Sequence, residues 1–320
     1  MSTDCEKSPR RNLSCTMKNR YMNRQLFTDV IIWCFVCVPV LVYFIWGTPY
    51  TQGFYCDDVS IRLPYKSNTI STPALLTAGL ALPLLTLFLT EILRVTLGRD
   101  DTFKTQNIDL MMAVKGFGIF LFGTMVNKVF TEITKYSVGR LRPNFIDVCR
   151  PDFTSINCSQ GYITDYTCTT TEHGAREIRD SRLSFPSGHA SFGVFCSVYA
   201  VLYMQARLKV TSSYLLKPTL QSALLLLSAW CCLTRVTDNR HFPSDVIAGC
   251  VLGIVTAWLT FYKVALDVLQ TTQRGEVERA YSVNSETEPA TPAPLLRNSK
   301  DHSCTVYLNN PLHEKDRTVS

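Results

Sequence analysis

Apolar residues gather along this chain in six near-continuous blocks, not in the one-sided stripes of water-soluble helices. The blocks are 30–46, 73–93, 110–130, 190–206, 218–233 and 246–266. Each lies near the ~20 residues with which an α-helix crosses a ~30 Å hydrocarbon core. The first, fourth and fifth are short, so their ends are soft. The pattern predicts an all-α polytopic membrane protein with six transmembrane helices over 29–268. Residues 1–28 read as a polar N-terminal tail. Residues 269–320 lose apolar periodicity and fill with Ser, Thr, Pro, Asn and charges, a composition that predicts a disordered tail. No internal repeat marks an inverted-repeat transporter.

Charge sets the expected orientation. Lys7, Arg10, Arg11, Lys18, Arg20 and Arg24 precede the first block, against Asp4, Glu6 and Asp29. A basic flank favours the cytosolic side, and six spans return the C-terminus to that side. The short second loop (Arg94, Arg99, Lys104) and fourth loop (Arg207, Lys209, Lys217) agree. Loops one, three and five then face the lumen or the exterior. The third loop, about 131–189, is basic too, but long loops obey the rule weakly. No small-residue cleavage site follows the first block, so it is expected to stay as a signal anchor. The formal charge of +6 is modest and gives no reason to invoke nucleic acid.

Thirteen cysteines fit no zinc spacing. Cys34, Cys37, Cys196, Cys231, Cys232 and Cys250 lie in apolar blocks and read as small buried hydrophobes. Cys56, Cys149, Cys158 and Cys168 fall in outward loops where disulfides can form, with the pairing open. Asn157-Cys158-Ser159 is a glycosylation sequon in the third loop, matching its outward placement. Asn12-Leu13-Ser14 also fits the pattern, but in the expected cytosolic tail.

Three polar segments interrupt the blocks with residues suited to chemistry. In the first, Lys135 follows the third span and Arg142 stands seven residues on, with Gly139 and Pro143 predicting a bend that delivers Arg142. Two cations aimed at one point call for an anion between them, although such segments also anchor to headgroups. The second runs Ser184-Phe-Pro-Ser187-Gly188-His189 into the fourth span. A helix start of this kind turns free N–H groups and the positive dipole end outward; it also reads as an ordinary N-cap. The third, from Thr234 to Asp245, carries Arg235, His241 and Asp245. Four residues apart, His241 and Asp245 share a face on a helical first turn, where the carboxylate would hold one imidazole nitrogen. Pro243 suits that turn. The alternative is a polar loop between two spans.

By the topology above, all three segments sit at the outer ends of spans three to six. Two of the five histidines lie there; His173, His302 and His313 read as solvent-exposed bystanders. Cations and N–H groups would neutralise phosphoryl oxygens, one histidine would attack phosphorus, and the other would protonate the leaving alkoxide. Asp238 and Asp245 are the only acids of the third segment, too few for a Mg²⁺ cluster. The expectation is therefore phosphoryl transfer with no metal and no cofactor.

The sequences Lys-x6-Arg-Pro, Pro-Ser-Gly-His and Arg-x5-His-x3-Asp, in this order, resemble the three signature motifs of the lipid phosphate phosphatases. These belong to the type 2 phosphatidic acid phosphatase superfamily, which also contains haloperoxidases. The likeness covers about residues 22–266. Words such as Gly-Arg-Leu-Arg-Pro, Ile-Asn-Cys-Ser and Tyr-Met-Gln-Ala-Arg also resemble its animal members. The resemblance implies that Lys135, Arg142 and Arg235 bind phosphate oxygens, helped by Ser187 and Gly188. It implies His241 as nucleophile, Asp245 as its orienting carboxylate and His189 as general acid. Thr234 stands where the family usually has Ser, which keeps the hydroxyl. Implied substrates are phosphatidate, lysophosphatidate, sphingosine 1-phosphate and ceramide 1-phosphate, met at the plasma membrane or a lumenal leaflet. Members are often oligomeric, so a homo-oligomer stays open. Two other functions remain: an inactive membrane scaffold, disfavoured because every motif position is filled, and a lipid phosphotransferase, disfavoured by the Lys-x6-Arg-Pro segment.

Overall fold

The computed structural model describes residues 9–97, 110–208 and 213–271. A helix forms at each of the six blocks: α1 (Pro9–Trp46), α2 (Thr72–Leu97), α3 (Leu110–Val138), α6 (Gly188–Arg207), α7 (Leu216–Thr237) and α8 (Pro243–Thr260). A π-helical turn, Phe261–Ala265, prolongs α8 toward Thr271. Two short helices, α4 (Phe145–Cys149) and α5 (Ala175–Asp180), lie in the third loop. The one sheet among the described residues pairs β1 (Phe54–Tyr55) antiparallel with β2 (Tyr162–Ile163).

Among the described residues, four helical stretches are long and apolar enough to cross a bilayer: Thr72–Thr96, Leu110–Val138, Leu216–Thr237 and Pro243–Thr271. The first block yields the shorter apolar stretch Phe27–Tyr43, inside a helix that reaches back to Pro9 and so takes in much of the expected tail. The fourth block, α6, falls short in apolarity for a structural reason. It packs on α2, α3, α7 and α8, so protein covers Ser191, Tyr199 and Tyr203, which lipid would not tolerate. Most of the expected C-terminal tail, together with Arg99, Lys104, Lys209, His302 and His313, lies outside the described residues.

α6 and α8 cross closely because α8 carries Gly249 and Gly253 one turn apart. A Cβ at Gly249 would stand 2.5 Å from the Ser187 carbonyl oxygen, and one at Gly253 2.5 Å from that of Ser191. Beside this seam a buried polar chain ties three helices. Asn127 of α3 donates to Thr256 of α8 at 2.8 Å and accepts from Ser191 of α6 at 2.8 Å. Deeper in the bundle, Arg207 grips the buried Glu91 with bonds of 2.8 and 2.9 Å, and Tyr203 donates to the same carboxylate at 2.9 Å. Arg207, counted among the cations of the fourth loop, is thus the last residue of α6 and an internal partner of α2.

The loops at one end of the bundle form a cap. β1 joins the α1–α2 loop to β2 in the α3–α6 loop, and the disulfide Cys56–Cys158 joins them again. Cys149–Cys168 closes the third loop on itself. Phe54, Leu141, Phe145 and Cys149 make a small apolar core within it. The sequon Asn157 is exposed on this cap, its side chain accepting from Ser159.

Candidate phosphate site

The three segments meet beneath this cap, around the start of α6. Lys135 lies in the last turn of α3, as its spacing suggested. The chain then turns at Gly139, whose φ of 60° favours glycine and whose missing side chain admits the Tyr50 carbonyl. This turn returns Arg142 to the bundle, where its N–H donates to Ser181 at 2.8 Å. The Nε of Arg142 is buried and has no hydrogen-bond partner. Burial draws its pKa down to about 10, which leaves it charged at neutral pH.

Ser187 caps α6, its hydroxyl accepting from the Ala190 N–H at 3.4 Å. Its own N–H is already committed to the Asp245 carbonyl at 3.0 Å, so it is not the free donor that the segment suggested. The N–H groups of Gly188 and His189 belong to the first helical turn and have no intrahelical acceptor. A Cβ at Gly188 would lie 3.0 Å from the Lys135 Nζ, so the glycine leaves room for the ammonium to approach this helix start closely. His189, just before the block 190–206, is held by the backbone of Ile70, while its Nε2 is buried and unpartnered. Burial first, then the charges of Arg235, Lys135 and Arg142, push its pKa down to about 3.

Arg235 is buried in the last turn of α7. Its guanidinium donates to Asp238 at 3.0 Å and to Asn68 at 3.2 Å. The hydroxyl of Thr234 accepts from it at 3.1 Å, which accounts for a hydroxyl residue there and leaves the extra methyl aside.

His241 departs from the geometry expected of it. α8 begins at Pro243, so His241 precedes the helix and does not share its first turn with Asp245. The imidazole Nδ1 stands 2.7 Å from the Ser184 carbonyl and 4.0 Å from the Asp245 carboxylate. A carbonyl only accepts, so Nδ1 carries the proton and Nε2 keeps its lone pair. Asp245 is fully buried and accepts instead from Arg140, from the Ser184 hydroxyl at 2.6 Å and from the Phe242 N–H at 3.1 Å. Ser184 therefore links the two residues, its hydroxyl on the carboxylate and its carbonyl on the imidazole. Burial first, then Arg142 and Lys135, hold the His241 pKa well below the ordinary imidazole value, and His189 is near enough to add to this.

Several residues of the site went unmarked in the sequence reading. Arg140 lies over the Phe242 ring at 4.4 Å and bridges Ser244 and Asp245. The stretch Pro64–Ile70 straps the site from the α1–α2 loop: Thr69 bonds Asp238, and Asn239 bonds the Pro64 carbonyl. Arg140 was visible as a third cation beside Arg142, and Ser184 stood inside the motif. Asn68 to Ile70 carry no signal. His173, expected as an exposed bystander, is half-buried against Tyr65, with ring centroids 4.7 Å apart.

Residues 116–267 match the profile of the PAP2 superfamily. Phospholipid phosphatase 1 of Rattus norvegicus is 38% identical over 249 residues, 77% of this chain and 86% of that protein. The chain belongs to the PAP2 superfamily. Membership together with a phospholipid phosphatase relative this similar makes this PAP2 protein a phosphoric monoester hydrolase. Phospholipid phosphatase 2 of Mus musculus is 37% identical over 240 residues (72% of this chain, 83% of the relative). A putative phosphatidate phosphatase of Drosophila melanogaster is 36% identical over 248 residues (72% and 65%). No solved structure matches the PAP2 chain.

The pH dependence of this site follows from the direction of the His241 shift. A depressed pKa keeps the lone pair on Nε2 below pH ~6.5, the value of an ordinary imidazole. With both free imidazoles unprotonated, the acid limb of kcat/KM should lie below pH ~6.5. Because His189 must gain a proton that the free enzyme does not hold, kcat/KM should fall above the substrate's second phosphate ionisation, near ~6, and this basic limb should move with substrates of different phosphate pKa. An acid limb fixed near ~6.5 for all of them would show that His241 titrates normally.

Proposed function

We propose that this protein is an integral-membrane lipid phosphate phosphatase that hydrolyses monoesters through a phosphohistidine. One observation carries the reading: three cations and two imidazoles from separate segments converge on the glycine-bearing start of α6. In the first step the His241 Nε2 lone pair forms a bond to phosphorus while the bond to the lipid oxygen breaks. His189 gives its proton to the departing alkoxide. In the second, water attacks phosphorus, His189 takes the water proton, and the P–N bond breaks to release phosphate and restore His241. Lys135, Arg142, Arg235 and the N–H of Gly188 hold the phosphoryl oxygens; the Ser187 hydroxyl completes the cup. Asp245 orients His241 through Ser184. Burial and then the neighbouring cations depress the His189 pKa, and a bound phosphate dianion offsets both by favouring the charged imidazole, so that it binds the proton it must deliver.

The substrates are phosphatidate, lysophosphatidate, sphingosine 1-phosphate and ceramide 1-phosphate, in keeping with relatives named phospholipid phosphatases. With both termini in the cytosol, as the basic N-terminal flank favours, six spans leave the cap, glycosylated at Asn157, on the outer side: extracellular at the plasma membrane or lumenal at an internal one. A homo-oligomer is compatible with this arrangement.

The test is phosphate release by purified protein across the four lipids. Because lysine and arginine supply the positive charge that Mg²⁺ would otherwise bring, EDTA should leave the rate within about twofold. A large loss restored by Mg²⁺ would overturn the mechanism. Release from none of the four would overturn the function.

A further inference from the structure

An apolar cavity of about 350 Å³ lies between α2, α6 and α7. One end is formed by Thr69, Ile70 and Cys231, the other by Pro83, Ala200 and Leu224. The upper end adjoins the phosphate site by three routes. Ile70 lines the cavity and also holds the His189 ring. Cys231 lines it one turn before Arg235, and Gly193 lines it one turn after His189. From Ala74 to Pro83 the α2 wall runs about 14 Å at the rise of an α-helix. A slot of that length, running along the helices and lined by apolar side chains, has the shape of an extended hydrocarbon chain.

We propose that this cavity takes one hydrocarbon chain of the substrate, and that Gly193 and Ala78 set its width. The inference rests on the phosphatase reading and extends it to the lipid tail. The chemistry of the site selects the occupant. The leaving oxygen carries the chain, and His189, which protonates that oxygen, stands at the upper end of the cavity. A chain entering there continues from the reacting atom without a bend back through the cap. Any second chain stays in the bilayer. Bilayer lipid is as apolar as the cavity, so the chain gains little by transfer alone. The cavity acts by orienting the ester bond toward His241, and its effect falls on kcat/KM of chain-bearing substrates.

Both width-setting residues can be enlarged from the backbone outward. A Cβ at Gly193 would meet only the Cys231 sulfur, at the ordinary contact distance of 3.8 Å. Ala78 lines the same cavity from α2. The experiment compares purified wild type, Gly193→Leu and Ala78→Phe on two substrates in the same detergent micelles: a long-chain lysophosphatidate and the chainless p-nitrophenyl phosphate. Either substitution should lower kcat/KM for the lysophosphatidate about tenfold or more and leave p-nitrophenyl phosphate within twofold. A photoreactive diazirine at mid-chain of the same lysolipid should label α2, α6 or α7 peptides in wild type and lose that label in the variants. Unchanged lysophosphatidate turnover in both variants overturns the proposal, as does labelling confined to other helices. If a substitution disturbs folding and both substrates fall together, the wild-type label decides. A wild type inactive on both substrates would instead overturn the phosphatase reading.

Discussion

His241→Ala should abolish phosphate release, by at least ~10⁴-fold in kcat, because loss of a nucleophile removes the covalent route altogether. The companion substitution His189→Ala should divide the two half-reactions. With p-nitrophenyl phosphate the leaving group needs no proton, so the first step persists while water is no longer activated. Acid-labile phosphate should then accumulate on His241 in rapidly quenched His189→Ala, and none should form in His241→Ala. Full activity in His241→Ala, or label on another residue, would remove His241 from the nucleophile's role.

Arg140→Ala should be the next most damaging change outside the groups proposed to hold phosphate. Asp245 is fully buried, and Arg140 is the one cation bonded to its carboxylate among the described residues. Stranding a buried carboxylate costs ~3–5 kcal/mol. The Arg140 side chain is 34% exposed, so solvent screening brings the expected loss toward ~2–3 kcal/mol. Part of this appears in stability and part in the aim of His241, since Asp245 and Ser184 hold its imidazole together. The expected fall in kcat/KM is about 10²-fold. Arg140→Lys should recover only some of it, keeping the charge and losing the fork that reaches both Ser244 and Asp245. The readouts are kcat/KM and its pH profile beside a thermal melt in detergent. Wild-type kinetics in Arg140→Ala would mean that the carboxylate needs no cation.

The six helices were legible because lipid-facing surface imposes an apolar run of fixed length. α6 was the least legible for the converse reason: protein neighbours replace lipid around it, and polar residues such as Ser191 become affordable. Segment chemistry singled out the cations, glycine and histidines that the structure gathers at the start of α6. Their mutual geometry could not be read from it. Four-residue spacing predicts a shared helical face for His241 and Asp245 only if both lie on the helix, and α8 starts two residues after His241. The strap at Asn68–Ile70 left no trace because its backbone and short polar side chains act through distant partners. The ion pair of Arg207 left no signal because position near a span end says nothing about a carboxylate on a neighbouring helix.

The acidic partners of the cations bear on how the cycle ends. Arg235 is bonded to Asp238 and Asn68, and Glu132 lies 3.9 Å from the Lys135 ammonium. A cup of unopposed cations would retain inorganic phosphate and stall after each turnover. With carboxylates already competing for two of them, the product leaves behind groups that have somewhere else to donate. Removing Asp238 would tighten product inhibition before it slowed the chemistry.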